Sequence, residues 1–523
     1  MAKAKQMECI SKISCFLILL LVTFGVARVA TKPNIILLFA DDLGYGDLSV
    51  YGHPTSSTPN LDKMASQGLL FTQFYSASPL CSPSRAALLT GRYQTRSGVY
   101  PAVFASGSVG GLPLNETTIA EGLKDEGYTT SIVGKWHLGV GKDNEYLPTR
   151  QGFDSYLGIP YSQDMCPCVH KVCFYPNVPC IDKACENGNV PCPLFQNENI
   201  VQQPADFLEL MQNYLKGAES FIKTSADKKT PFFLYLAFQH MHAPQFAGKM
   251  FTNSSIRGQF GDALNEMDWA VGQIFQYIEE AGVKDNTFVF FTADNGPSLA
   301  REIYGGNAGP LRCGKYSTWE GGHREPAIAW WPGKIKPGRT MEVAATVDVF
   351  PTLMNIVGGK IPANVTMDGV DMAPILFNDG KSNRDFFIFY PGDPNKTLGI
   401  FAIRWKEYKA HYYSHGGLCT TTHPDVVCRS NYTLHAYDPP LLYNLHNDPG
   451  EIYELNVKEY SDVMKQIETL KKSFEADMVW GESQMGRGQS PELEPCARPG
   501  CTPFPSCCTT SSFLQQDMSL ALI

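Results

Sequence analysis

Three apolar runs in this chain end in the same way, and that recurrence does most to fix the fold class. The runs at 34–40, 231–238 and 286–292 are continuous and of strand length; Asp41 and Asp42 follow the first, Gln239, His240 and His242 the second, and Asp294 and Asn295 the third. A run with no polar face belongs to a strand buried on both sides, as in a parallel sheet covered by helices. Segments 118–126, 205–221 and 256–280 lie between them and carry apolar residues at three- and four-residue spacing, the helical period. Strand alternating with helix predicts an α/β domain with a mostly parallel sheet, whose ligands bind beyond the carboxyl ends of the strands, where these polar residues fall.

The pattern changes past residue 380. Short, turn-punctuated stretches at 386–390, 399–404, 408–413 and 441–445 predict a smaller antiparallel sheet, closed by an amphipathic helix over 457–480. The expected division is a catalytic domain over 31–380 and a C-terminal domain over 381–523. A chain of 523 residues with 43% hydrophobic content can bury a large core, which excludes a disordered or fibrous protein. Its net charge of −9, without a basic tract, argues against nucleic acid as a partner. Any anionic substrate must be recruited by local cations.

Residues 1–27 read as a cleaved signal peptide: Lys3, Lys5 and Lys12 precede an apolar run at 16–24 and small residues at 25–27. The run is shorter than a span of about 20 residues, and an uncleaved anchor is the alternative. Cleavage would remove those lysines and Glu8, taking the charge from −9 to −11. Asn115, Asn253, Asn364, Asn395 and Asn431 head glycosylation sequons. Sixteen cysteines, bunched at 166–192 and 496–508, suit an oxidising compartment.

The sharpest local feature is Cys81-Ser82-Pro83-Ser84-Arg85, followed by Thr90-Gly91-Arg92. Alone, Cys81 reads as a disulfide partner or a buried thiol. Asp41, Asp42, Asp294 and Asn295 offer hard oxygen ligands for Ca²⁺ or Mg²⁺, although either pair alone suits a turn or helix cap. Arg85 lies one helical turn from Cys81 if a helix starts near Pro83, and a helix start there favours an anion. Lys135 and His137 stand in Gly134-Lys135-Trp136-His137-Leu138-Gly139. His240 and His242 lie two residues apart on the same strand face, so either could serve the site.

Taken together these segments resemble the sulfatase family, in its arylsulfatase branch, from about residue 33 to 508. The resemblance implies an alkaline-phosphatase-like α/β sandwich with a small C-terminal antiparallel sheet. It implies conversion of Cys81 to Cα-formylglycine by the formylglycine-generating enzyme, and a divalent metal, Ca²⁺ or Mg²⁺, held by Asp41, Asp42, Asp294, Asn295 and the residue made from Cys81. Lys135 and Lys315 would bind sulfate, and His137 would take a proton from the formylglycine hydrate. His242 would contact sulfate and protonate the leaving oxygen, and Arg85 would hold the hydrate and a ligand carboxylate. Ser162, in Gly158-Ile-Pro-Tyr-Ser162-Gln-Asp164, matches a polar site residue of that branch.

The implied substrates are aryl sulfates and a sulfated galactolipid or other sulfated sugar, with a lysosomal or extracellular destination; homo-oligomerisation is left open. The resemblance proposes disulfides joining Cys168 to Cys185, Cys173 to Cys180, Cys313 to Cys428, Cys496 to Cys508 and Cys501 to Cys507. Proximity adds Cys166 with Cys192, which leaves Cys419 as the free thiol. Two other classes fit parts of the sequence. A metal-dependent phosphatase or phosphodiesterase would share the acidic ligands but use Ser or Thr as nucleophile. A non-catalytic secreted protein would have no need of the intact cluster.

Overall fold

The computed structural model describes residues 32–165, 192–363 and 365–495. The first strands of its large sheet are β1 (Asn34–Ala40), β2 (Leu69–Tyr75), β3 (Thr129–Gly134), β4 (Ser155–Gly158), β5 (Leu194–Gln196) and β6 (Asn199–Gln202). They are followed by β7 (Phe232–Ala237), β8 (Thr287–Ala293), β9 (Arg324–Trp330), β10 (Gly338–Thr340) and β11 (Ala344–Ala345). The spatial order is β10-β2-β9-β8-β1-β7-β3-β4-β5-β6, with β11 beside β2. The three apolar runs are adjacent: β1 pairs in parallel with β7 on one side and β8 on the other. In that register Phe39 faces Ala237 and Ala40 faces Ala293, so Asp41, the loop after β7 and Asp294 emerge at one edge.

Each face of the sheet is covered. Ile36 and Leu38 point to the side of helices Phe207–Asp227 and Gly258–Glu280, whose Leu210, Leu215, Leu264 and Ile274 complete one core. Ile35, Leu37 and Phe39 point the other way, onto Leu88, Leu123 and Phe350 of helices Cys81–Thr90, Ile119–Asp125 and Val349–Val357. Burying each such side chain contributes about 1.5–3 kcal/mol. The period-3.6 expectations hold with shifted ends. The first helix starts after Thr118, whose hydroxyl and the Glu121 carboxylate form a capping box, and the second continues to Asp227. The sheet is mostly parallel, as expected; one exception is β9, which runs antiparallel between β2 and β8.

The smaller sheet is wholly antiparallel, in the order β12 (Phe386–Phe389), β13 (Ala402–Trp405), β14 (Tyr408–Ser414) and β15 (His435–Asn444). β15 begins earlier than expected because His435 and Ala436 also pair with β14, across an irregularity in the register. The helix expected over 457–480 is Ser461–Asp477 and buries Ile467 against this sheet. Phe387 and Phe389 pack on Tyr75 of β2, with ring centroids 5.1 and 5.8 Å apart. A second link is the disulfide between Cys313 and Cys428.

Among the described residues Cys81 and Cys419 are free and buried, while Cys192 is disulfide-bonded. The signal segment 1–27, Asn364 and the cysteines at 166–185 and 496–508 lie outside the described residues. Asn115, Asn253, Asn395 and Asn431 are exposed. No helix among the described residues is long and apolar enough to cross a membrane.

Candidate active site

The polar residues at the shared strand edge converge on Cys81. The helix Cys81–Thr90 begins at Cys81 itself, two residues earlier than Pro83 suggested, and is buried along its whole length. Its first turn directs backbone N–H groups and the positive end of the helix dipole at the Cys81 side chain. Cys81 Sγ lies 3.4 Å from Asp41 Oδ1 and 3.4 Å from Lys315 Nζ. Burial, and next the Asp41 charge, push the thiol well above its ordinary range.

Asp41 and Asp42 leave β1 side by side, and Asp42 sits in the left-handed region at φ 55°. Lys135 Nζ donates to Asp41 Oδ2 and, at 3.2 Å, to Ser162 Oγ. Lys315 Nζ donates to Asp42 Oδ1 at 2.5 Å. Arg85, one turn into the helix, is completely buried; its Nη2 donates to Asp294 Oδ2 at 2.8 Å and lies 3.5 Å from Asp41 Oδ2. Burial alone would raise the Asp41 carboxyl, but Lys135, His242, Arg85 and Lys315 hold it well below the usual range. Asp294 is instead pushed up to about 7, by burial and by the Asp41 charge beside it.

The segment carrying Lys135 is pinned by its backbone. Gly134 has φ 116°, and a Cβ there would stand 1.8 Å from the Ala237 carbonyl oxygen of β7, so only glycine lets the strands approach this closely. Lys135 N–H donates to that same carbonyl at 2.8 Å, and His137 N–H donates to Pro160 at 3.0 Å. His137 is buried; burial, then the Lys135 and Arg85 charges, hold its imidazole well below the ordinary value. Its Nε2 is 3.1 Å from the Phe104 carbonyl, whose own N–H donates to Ser82 Oγ at 3.2 Å. Phe104 therefore ties His137 to the first turn of the Cys81 helix, a link that no sequence signal marked.

The two histidines after β7 part company. The strand ends at Ala237, so His240 and His242 stand in a loop and do not share a strand face as the sequence suggested. His242 turns toward the site, with Nε2 3.7 Å from Asp42 Oδ2 and Nδ1 held 2.6 Å from the Ala243 carbonyl. His240 turns inward onto Glu266 Oε2 at 3.0 Å. Gln163 Nε2 donates to the His242 carbonyl at 2.9 Å. The adjacent Asp164 has a carboxyl that burial would raise but that His242, Ser162 and the two lysines draw down. Both lie in the segment that carries Ser162, whose sequence had singled out the serine alone.

Asp41, Asp42, Cys81 and His242 present ligand atoms within 4.8 Å of one another. Asn295 adds a further oxygen. Its Nδ2 donates to Asp42 Oδ1 at 2.8 Å, leaving a buried Oδ1 without a hydrogen-bond partner. Asp294 joins through the Asp42 N–H, which donates to its Oδ1 at 3.1 Å. Carboxylate and amide oxygens in this number suit a hard divalent cation. With Asp164, four carboxylates face the three fixed cations Arg85, Lys135 and Lys315, so a bound divalent ion would still leave the pocket positive and attractive to an anionic ester.

The sulfatase family model matches residues 33–359, and the model of the C-terminal region of aryl-sulfatase matches residues 382–509. The chain belongs to the sulfatase family. Human arylsulfatase A is 48% identical over 497 residues, covering 94% of this chain and 97% of its own. Rat N-acetylgalactosamine-6-sulfatase is 37% identical over 503 residues, covering 92% and 93%. Among solved structures, the PsFucS1 sulfatase from Pseudoalteromonas sp. matches with a TM-score of 0.75 at 28% identity, over 88% of this chain and 92% of that one. Ps i-CgsB in complex with k-i-k-neocarrahexaose matches at 0.68 and 28%, over 85% and 93%. The sulfatase is thus a sulfuric ester hydrolase of the arylsulfatase type, and its fold is the mostly parallel α/β sandwich with a separate antiparallel sheet.

Proposed function

We propose that this sulfatase hydrolyses sulfate monoesters of sugars and aryl alcohols at Cys81, after that residue has been converted to formylglycine by the formylglycine-generating enzyme. The observation that carries the reading is the meeting of Lys315 Nζ and Asp41 Oδ1 on Cys81 Sγ, each at 3.4 Å, at the first residue of a buried helix. As its hydrate, formylglycine supplies one oxygen to attack sulfur and a second whose deprotonation releases sulfate by re-forming the aldehyde, where a serine would supply only the first. Asp41, Asp42, Asp294 and Asn295, with the residue made from Cys81, hold one Ca²⁺, or Mg²⁺ in its place. That ion supplies charge neutralisation to the sulfate and acidity to the attacking hydroxyl.

The chain's own groups do the rest. Lys135 and Lys315 bind sulfate oxygens as point charges in a site shielded from water. Arg85 fixes Asp294 and Asp41 relative to the helix start. His137, neutral and held by Phe104, accepts a proton beside Cys81. His242, whose Nε2 stands 3.7 Å from Asp42 Oδ2, protonates the leaving oxygen, since an alkoxide leaves poorly without an acid. Ser162 orients Lys135. Two observations favour a sugar as the leaving group: a relative named for an N-acetylgalactosamine sulfate, and a structural neighbour solved with a neocarrahexaose. The sequons and cysteine usage support passage through the secretory pathway to a lysosomal or extracellular destination.

The test is mass spectrometry of the peptide containing Cys81 from a competent secretory host, together with turnover of 4-nitrophenyl sulfate. Formylglycine and turnover are expected together, and both should vanish in Cys81→Ala with the fold retained. An intact thiol in active enzyme would refute the mechanism.

A further inference from the structure

Lys315 is followed by a residue that the chemistry described so far does not use. Tyr316 sits at φ 80°, a conformation that a bulky aromatic side chain rarely adopts. Strain of this kind persists where the surroundings impose it, and it clusters at binding sites. The surroundings here are specific. The Tyr316 N–H donates to the Pro79 carbonyl at 2.9 Å, two residues before Cys81. The ring lies against Gly392, where a Cβ would come within 2.6 Å of Tyr316 Cδ2 and 2.8 Å of Leu80 Cδ1. Its hydroxyl donates to Asp393 Oδ2, and His415 packs behind it with ring centroids 5.3 Å apart. Asp393 follows β12 and His415 follows β14, so two loops of the small sheet reach across to the catalytic lysine.

Asp393 is exposed and Tyr316 half-exposed, while His415 is fixed by its Nδ1 on the Gly416 carbonyl at 2.7 Å, its Nε2 buried without a partner. The Asp393 carboxylate, which also accepts from the Ala102 N–H, is exposed beside an aromatic ring, a pairing suited to a pyranose: the ring covers C–H groups and the carboxylate accepts from hydroxyls. The same carboxylate repels a second anion, and selectivity of that kind needs a repulsive element as well as an attractive one.

We propose that Tyr316 and Asp393 form the leaving-group subsite of this sulfatase, selecting an uncharged sugar ring and discriminating against esters that carry a further sulfate or carboxylate. His415 acts as a positioning residue behind Tyr316. The proposal rests on the sulfate-ester reading of the Cys81 site.

The test compares kcat/KM for 4-nitrophenyl sulfate, methyl galactoside 3-sulfate and methyl galactoside 3,6-disulfate in the wild-type enzyme and in Asp393→Asn, Tyr316→Phe and Tyr316→Gly. Glycine adopts φ 80° without strain, so Tyr316→Gly should fold, and its melting curve checks this. Tyr316→Gly should lower kcat/KM for the monosulfated galactoside about tenfold, and it should also lower that for the aryl ester, whose ring loses the same wall, while Tyr316→Phe, which keeps the ring, should keep most of both. Asp393→Asn should raise the disulfate-to-monosulfate ratio about tenfold at low ionic strength, an effect that shrinks as salt is added. His415→Ala should change kcat/KM for the monosulfated galactoside in the same direction as Tyr316→Gly, and His415→Gln should restore part of it. An active wild type whose ratios stay within about threefold in every variant would overturn the subsite alone. A wild type inactive on all three esters would overturn the proposed function and the subsite with it.

Discussion

Replacing Lys409 by methionine tests whether the small sheet holds the Lys315 segment in place. Lys409, on β14, is fully buried. Its Nζ donates to the Thr318 carbonyl at 2.8 Å and to Glu320 Oε1 at 3.0 Å, and lies 3.0 Å from Glu451 Oε1. Glu451 in turn accepts from the Glu320 N–H at 2.7 Å and meets His411 Nε2 at 2.7 Å. Thr318 and Glu320 belong to the same short segment as Lys315 and Tyr316, so this buried cation anchors the catalytic loop from behind. Burial would raise the Glu320 carboxyl, but Lys409, Arg324 and Arg404 hold it down to about 2 from the ordinary 4.5. That gap corresponds to roughly 3 kcal/mol in favour of the folded state.

Methionine keeps the packing of the lysine stem and removes the charge together with the N–H donors to Thr318 and Glu320. Two buried carboxylates then lose a partner, the circumstance in which losses of about 3–5 kcal/mol are measured. The sign of the pH dependence follows from the depressed value: the Glu320 contribution is complete above about pH 4.5 and disappears as the pH falls toward 2. Lys409→Met should therefore unfold at lower urea concentration at pH 7, followed through tryptophan fluorescence. It should also lose less of its remaining stability than wild type between pH 4.5 and 2. Adding Glu320→Gln should recover part of the loss, since the pair is coupled. An unchanged urea midpoint, or losses that simply add in the double variant, would refute the reasoning.

Three further outcomes are expected. Changing both Cys313 and Cys428 to serine opens a loop with a sequence separation of 115, which predicts a loss of about 5 kcal/mol on the chain-entropy account. A urea midpoint unchanged by the double substitution would contradict it, and turnover should fall because Cys313 is two residues from Lys315. His323 is buried against Ser76, and burial holds its imidazole down to about 3 from 6.5. Its contribution is complete above about pH 6.5 and is lost as the pH falls toward 3, so His323→Phe should flatten the acid side of the stability profile, read as urea midpoints at pH 7 and pH 4.5. A chelator should abolish turnover and lower the melting temperature, with Ca²⁺ restoring both, and Asn295→Ala should weaken the metal titration at least about tenfold; equal affinity in that variant would remove Asn295 from the ligand set.

What could be read from the sequence divides according to how far apart the interacting residues lie. β1, β7 and β8 were legible because a strand buried on both faces writes itself as an unbroken apolar run. Their polar ends were legible because parallel pairing brings successive carboxyl ends to one edge. β2 and β9 were not, since Thr72 and Gln73 interrupt one, and the buried Arg324 and Glu325 open the other with residues normally found on surfaces. At the site, Cys81, Arg85, Lys135 and His137 could be picked out because each short segment carries a recognisable order of residues. The groups that position them could not. Glu266 meets His240 from a helix 26 residues away, Phe104 reaches His137 through its backbone carbonyl, and Lys409 reaches Glu320 across 89 residues. Spacing of that kind has no period and no motif. It exists only after the two sheets have packed, so the small sheet secures the segment that carries Lys315, through Lys409 on Glu320 and through Asp393 and His415 on Tyr316. The catalytic segments and the C-terminal sheet are therefore expected to fail together, and a substitution in β14 should be felt at Cys81 although no residue of that strand touches it.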